Sequence, residues 1–555
     1  MSKSGCPLCC SAAVPHYRPT CSVEAMEFVT SVQLADHVLP GKPLTISKAA
    51  LLLSAYPNRT CWTHESEYKM LCDALTAAKK EAAEAEKANS SSSDQQTLRS
   101  DPRQLPPEWP EGSGSVSYGS DGRGKIKIYT DYQLIVDLVA KEEVDRGIDP
   151  FCSRFDFVND RSEADYLLIM EHVKDYLNLP PRQRVCQFPF EGGIVRKDLL
   201  PLTVRKFCYR NNRSNYSNSE HEGKENVPPY WWLPCYDLST EFHSFAWEYE
   251  RNDSQRRLEA SDAHSNDWIV KPAQMAQGRG HQVFPQETTC LKDVAHFLLQ
   301  SSGLSSSSSD DRVAQKLVRK PALIRGRKMD LRIAIVVRSF QAPFEAYMSE
   351  YFYARLANNV YDESKLTDPE IVLTVNAYNE NESVASKQER ESYEGLAIAL
   401  GLDDYIIDER NGQKVQRFKL LEDSIVKVMS HLFSGAGKSI GIWPRSSAYY
   451  CVDVILDWNY CDTDRSSSFS NSEFDLCDDM FTTEWFRKVN IPVPKLVEVN
   501  YMGDLHAFEV AMQSLPPYGP KSITAFHKWT ADLINCTVSD EHNPKGFIPL
   551  TDYFA

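Results

Sequence analysis

Apolar positions along this chain change their spacing as the sequence proceeds. In KIKIYTDYQLIVDLV (125–139) and ADYLLIM (164–170) they form strand-like runs with helical material between them, a pattern that predicts an α/β arrangement. Farther on, DWIVKP (267–272), LRIAIVVRSF (331–340), YYCVDVILDW (449–458) and PKLVEVNY (494–501) are β-branched apolar segments interrupted by charged residues, among them Lys271, Arg332, Asp453 and Glu498. Successive side chains of a strand point to opposite faces. Each of these strands therefore has one apolar face and one that either meets solvent or carries chemistry.

Between the periodic segments the composition shifts. ALTAAKKEAAEAE (74–86) is a helix former, followed by SSSSDQQ and a Pro-, Gly- and Ser-rich stretch through Gly124. We read 81–123 as a linker after an amino-terminal module of 1–80. SSGLSSSSSDD (301–311) reads as a surface loop, and TDRSSSFSNSEFDLCDD (463–479) as an insert between two strands. A chain of 555 residues has room for about three domains. With 42% hydrophobic and 25% charged residues it is globular.

Charge and cysteine usage narrow the function classes. There are 77 acidic and 61 basic residues, so the net charge of −16 argues against broad binding to nucleic acid or anionic membrane, and an anionic substrate needs a local basic pocket. Fifteen cysteines in 555 residues do not make a disulfide scaffold and read as reduced thiols. MSKSGCPLCC lacks the apolar core of a signal peptide, and AALLLSAY (49–56) is too short to span a bilayer, so the expected location is the cytoplasm.

Three segments can supply the pocket. Lys271 ends the strand of WIVKP and leads into AQMAQGRGHQVF, where Gly278 and Gly280 can free backbone N–H groups for phosphate; the alternative is a hairpin with a surface lysine. Between Lys316 and Arg338 there are eight basic residues against one acid, Asp330, a focus that suits a polyanion. Lys328, Asp330 and Arg332 share a strand face, which either lines a cleft or meets solvent. Glu498 and Asn500 also share a face. If their strand pairs antiparallel with that of Asp453, three oxygen-bearing groups converge in a set that suits Mg²⁺ held jointly with phosphate; the alternative is a half-exposed hairpin.

Taken together, these segments resemble the ATP-grasp active site of the tubulin tyrosine ligase-like family. WIVKP resembles the family's W-I-x-K-P, and ALIRGRKMDLRIAIVVRS its P-L-L-I-x-G-x-K-x-D-x-R strand. EYFYARLANNVYD resembles the strand of a further arginine, here Arg355, and LTVNAY (373–378) the L-T-N segment. VDVILD and LVEVN complete the set, while CQFPFEGGIVRKDLL (186–200) resembles the stretch with a phosphate-reaching lysine, here Lys197. WPRSSAYYCVDVILDW is most like the family's divergent twelfth type. Two departures stand out: an extra Val375 before Asn376, and Cys451 where the family commonly has glycine.

The resemblance implies an ATP-grasp fold (α/β, of α+β type) in three parts: 124–235 as a preceding α/β domain, 236–340 as the central domain, and 341–555 as the carboxy-terminal domain with the metal site. It implies ATP and Mg²⁺, with Asp453, Glu498 and Asn500 on the metal. Lys197 and Lys271 face phosphates, the hinge Gln315, Lys316, Leu317 and Val318 holds adenine, and Lys328, Asp330 and Asn376 complete the nucleotide contacts. Arg332, Arg355 and Glu498 are the implied catalytic residues. The implied activity joins glutamate or tyrosine to tubulin tails at the microtubule cytoskeleton. An inert scaffold that binds ATP and partners is the alternative. Separately, Cys6, Cys9, His16 and Cys21 have the C-x2-C-x6-H-x4-C spacing of a small zinc knuckle, set against a frayed terminus that merely bears cysteines.

Overall fold

The structure, a computed structural model, describes residues 125–144, 155–173, 176, 179–180, 182–206, 229–259, 266–273, 278–302, 312–340, 342–374, 389–408, 412–437, 439–440, 445–459, 481–513, 522–539 and 543–551. The linker, the zinc-knuckle residues Cys6, Cys9, His16 and Cys21, the serine-rich insert, Val375 and Asn376 lie outside the described residues.

A small parallel sheet comes first, built from β1 (Ile126–Thr130), β2 (Phe155–Phe157), β3 (Tyr166–Leu168) and β4 (Arg184–Val185) in the order β2-β1-β3-β4. The helix α1 (Gln133–Val144) follows β1, and a helical turn, α2 (Gly192–Val195), precedes Lys197. A second sheet is antiparallel, in the order β5-β8-β6-β7, from β5 (Cys235–Asp237), β6 (Trp268–Pro272), β7 (Gln282–Phe284) and β8 (Arg312–Lys316). One of its faces packs on α3 (Phe242–Glu259) and α4 (Leu291–Ser302) through Phe245, Tyr249, Trp268, Phe284 and Val294.

The third sheet contains the long strands. It includes β9 (Leu323–Ile324), β10 (Arg327–Ser339), β11 (Glu345–Leu356), β12 (Arg390–Glu391), β15 (Ala448–Asp457), β16 (Val493–Tyr501) and β17 (Phe547–Pro549), with β12-β11-β10-β15-β16 as its main order. A separate hairpin pairs β13 (Tyr405–Asp408) with β14 (Gln413–Gln416).

The period-two pattern of β10 explains how this sheet is buried. Met329, Leu331, Ile333, Ile335 and Val337 enter one core with Leu421, Ile425, Val428 and Leu432 of α5 (Arg417–Ala436). Ala334 and Val336, on the opposite face, meet the small parallel sheet and Phe508, Phe526 and Ile534 of α6 (Leu505–Gln513) and α7 (Ser522–Val538). That second core covers one end of the face. Lys328, Asp330 and Arg332 occupy the other end.

The topology shifts two expected boundaries. The one at 235/236 cuts β5, and the one at 340 falls on the connection between β10 and β11, which pair directly. The change from the middle sheet to the large one comes instead between Lys316 and Leu323. The apolar run through β10 marks a strand correctly but carries no sign of which sheet it joins. Among the described residues no helix is long and apolar enough to cross a membrane.

Candidate active site

Strand register assembles the charged end of the large sheet. Arg332 lies opposite Tyr353 on β11 and Asp453 on β15, and Asp453 lies opposite Glu498 on β16. Two pairs along, and so on the same face, Asp330 is opposite Arg355. Cross-strand partners share a face. Antiparallel pairing of β15 with β16 thus brings Asp453, Glu498 and Asn500 to one side.

The contacts form one connected network. Arg332 donates Nε and Nη2 to Asp453 at 2.9 Å each, and Arg355 donates to both oxygens of Asp330 at 2.7 and 2.6 Å. Arg355 Nη2 also lies 2.9 Å from Asp453 Oδ2, and the Thr374 hydroxyl donates to Asp330 at 2.5 Å. Asn500 Nδ2 lies 3.2 Å from Glu498 Oε1 and 3.4 Å from Asp453 Oδ2, so one atom spans the two carboxylates. Lys197 Nζ approaches Glu498 Oε2 at 3.2 Å.

The middle sheet supplies the rest. Lys271 Nζ donates to Gln315 Oε1 at 2.6 Å, and Gln315 Nε2 reaches the Val497 carbonyl on β16 at 3.4 Å. Ile269, Val283 and Leu317 are packed together in an apolar cluster. They follow the strand alternation of Lys271 and Gln315, so apolar and polar patches adjoin on one face. Val318 is buried beside Leu317. Lys316 departs from the group: its ammonium sits 4.9 Å from the Trp268 ring centroid on the helix-covered face. Because it neighbours Gln315 in a strand, its side chain had to take the opposite face.

Electrostatics favour an anion at this end of the sheet. Lys197, Lys271, Lys328, Arg332 and Arg355 are set against Asp330, Asp453, Glu498 and, beside Lys328, Asp457, so that cations outnumber carboxylates by one. Burial acts to raise the Glu498 carboxyl, but Lys197 and Lys271 outweigh it and hold the group well below the carboxylate range. Burial pushes Lys328 down to about 8 and lowers Lys271. For Asp330 burial outweighs the Arg355 guanidinium, and its carboxyl is raised.

The donor set also bears on a metal. Among the described residues no three or more His, Cys, Asp or Glu side chains are placed to hold a metal ion. Here the set is two carboxylates and an amide, and its partners Arg332, Arg355 and Lys197 already meet the carboxylate charge. Asn500 turns its amide nitrogen to the two carboxylates; with the amide reversed, this sparse oxygen set would suit Mg²⁺ that completes its shell with phosphate and water.

Cys451 opposes Asn500 and is fully buried. A Cβ on Gly503 would lie 2.4 Å from Cys451 Cβ and 2.5 Å from its Sγ. Gly503→Ala is therefore expected to destabilise the fold by about 1–3 kcal/mol through overpacking. Urea unfolding measures this, and an unchanged midpoint would show that the contact is not tight. Cys451→Gly in the same chain should recover part of the loss.

Two contributors are not singled out by the sequence pattern. Thr374 lies inside the LTVNAY segment with no role implied for it. His281, with Lys271, Lys197 and Glu498 around its ring, emerges only when the hairpin count is continued from Lys271.

A family model described as the tubulin-tyrosine ligase family matches residues 176–461. That span contains Lys197, Lys271, Arg332, Arg355 and Asp453 but ends before Glu498 and Asn500, which the sheet register adds. A probable tubulin polyglutamylase of Caenorhabditis elegans is 30% identical over 196 residues, covering 35% of this chain and 40% of the relative. A tubulin–tyrosine ligase-like protein 12 of the same organism is 22% identical over 356 residues, 62% of this chain and 44% of that protein. A tubulin glycylase of Tetrahymena thermophila is 23% identical over 224 residues, 40% and 20% respectively. The chain thus spans less than half the length of each of these relatives.

Proposed function

The chain belongs to the tubulin-tyrosine ligase family, and from that membership we propose that it is an ATP-dependent carboxylate–amine ligase that adds glutamate or tyrosine to tubulin carboxy-terminal tails. Its place of action would be the microtubule cytoskeleton of the cytoplasm. The observation that carries this reading is the charged end of the large sheet: cations in excess beside two carboxylates and an amide, next to an apolar patch. That layout suits a purine base at one end and a polyphosphate at the other.

In this reading Ile269, Val283 and Leu317 pack against adenine, while Lys271 and Lys197 hold phosphate oxygens. Mg²⁺ on Asp453, Glu498 and Asn500 would supply charge compensation for the phosphates. An acceptor carboxylate oxygen attacks the γ-phosphorus and ADP leaves, giving an acyl phosphate. The incoming amine then attacks the acyl carbon and loses a proton, and phosphate departs with the former carboxylate oxygen. Arg332 engages Asp453 through Nε and Nη2, which leaves Nη1 as its donor to the ligand, since guanidinium forks fit carboxylate and phosphate.

Lys271→Ala is expected to weaken Mg²⁺-ATP binding by about 10- to 100-fold, the range of a lost hydrogen bond to a charged group. Calorimetric titration checks it, and equal affinity in mutant and wild type would remove Lys271 from the site. Activity is tested with purified protein, Mg²⁺-ATP, tubulin and labelled glutamate, tyrosine or glycine in parallel. Glycine is included because the relatives' names span polyglutamylase, tyrosine ligase and glycylase. Incorporation should vanish when the acidic tails are removed. ATP binding without incorporation of any of the three would favour the scaffold reading.

A further inference from the structure

The hairpin that presents Lys271 carries a second nitrogen base. Strand β6 pairs with β7 in the register Trp268↔Phe284, Ile269↔Val283, Val270↔Gln282, and one more step of that count sets His281 opposite Lys271. Antiparallel partners lie on one face. His281 therefore belongs to the face of Lys271, Ile269 and Val283.

The backbone fixes it there. Gly278 and Gly280 take φ values of +73° and +69°, the left-handed region that glycine enters without strain. The His281 N–H donates to the Gly278 carbonyl at 3.3 Å, and Arg312 Nη1 donates to the Gly280 carbonyl at 3.1 Å. Arg312 is itself held with its guanidinium 4.7 Å from the Phe297 ring centroid.

Both ring nitrogens of His281 are buried without a hydrogen-bond partner. Buried polar atoms are almost always paired, and leaving one unpaired is costly. The charges around the ring are Lys271, Lys197 and Arg312 on the positive side and Glu498 on the negative. Burial, followed by Lys271, pushes the ring down to about 3, so it is neutral and offers one N–H and one lone pair. Three cations among its four charged neighbours favour an oxyanion over a metal ion as the missing partner.

We propose that His281 donates a ring N–H to a phosphoryl oxygen of the bound polyphosphate, beside Lys271. The inference rests on the nucleotide reading above, though only on its phosphates. No role for His281 follows from the family's lysines, arginines or metal-holding residues.

The test uses the full chain and two probes, Mg²⁺-ATP and inorganic tripolyphosphate, titrated by calorimetry. His281→Leu should weaken both by about tenfold or more, whereas His281→Gln, which keeps an N–H donor, should retain most of the affinity. In wild type, a histidine ring-nitrogen resonance missing from the His281→Gln spectrum should shift on saturation with tripolyphosphate. Unchanged affinity in His281→Leu, equal loss in the Leu and Gln variants, or a ring resonance that does not move would each overturn the proposal. Wild type that binds tripolyphosphate but not ATP would overturn the nucleotide reading and leave His281 as a phosphate contact. Wild type that binds neither would overturn both.

Discussion

Glu498→Gln is expected to lower amino-acid transfer by about 100- to 1,000-fold, the usual cost of one preorganised electrostatic contact to a transition state. The substitution keeps the size of the side chain and removes its charge. In the structure that charge is met by Lys197 at 3.2 Å and by a hydrogen bond from the Asn500 amide at 3.2 Å, and two lysines keep it ionised throughout the neutral range. A glutamine retains a hydrogen-bonding oxygen for either partner, so the sheet should stay folded. The proposed cation site, however, would lose one of its two formal charges while phosphoryl transfer is shifting negative charge. The assay is incorporation of labelled amino acid into tubulin, read beside the thermal unfolding of the variant. Transfer at the wild-type rate would remove Glu498 from the chemistry.

Asp453→Ala should have a different signature, a large loss of stability. Asp453 is 1% exposed and accepts from Arg332 through both oxygens, with Arg355 at 2.9 Å. Removing it leaves the largely buried Arg332 guanidinium without its carboxylate and takes from buried Arg355 one of its two, Asp330 remaining. Breaking a buried pair from one side typically costs about 3–5 kcal/mol, because the remaining charge stays desolvated. Urea unfolding should show this as a large fall in midpoint, with Asp453→Asn intermediate, since the amide keeps one acceptor oxygen. An unchanged midpoint for Asp453→Ala would mean that the arginines are well solvated and that the network does not hold the sheet together.

Period-two alternation makes much of the site legible in the sequence. It marks Lys328, Asp330 and Arg332 as one face and Glu498 with Asn500 as another, and antiparallel pairing of β15 with β16 sets Asp453 opposite Glu498. What the pattern lacks is long-range partnership. Nothing local says that Arg355 closes on Asp330, or that the middle sheet ends before β9. Lys316 shows the limit from the other side: Gln315 meets Lys271 and Leu317 packs with Ile269, yet alternation turns the Lys316 ammonium to Trp268. His281 is hidden for a related reason. The glycines beside it suggest backbone N–H groups as the phosphate contacts, while the ring's place depends on the register across the hairpin.

Oxygen-isotope transfer tests the central claim that the cleft activates a carboxylate with ATP. Tubulin carrying ¹⁸O in the side-chain carboxylates of its tails would be incubated with the protein, Mg²⁺-ATP and glutamate, and the inorganic phosphate analysed by mass spectrometry. ¹⁸O should appear in the phosphate in step with ADP formed, because the carboxylate oxygen leaves on phosphorus when the amine attacks the acyl phosphate. Unlabelled phosphate, or ATP bound with no tubulin-dependent ADP, would contradict it.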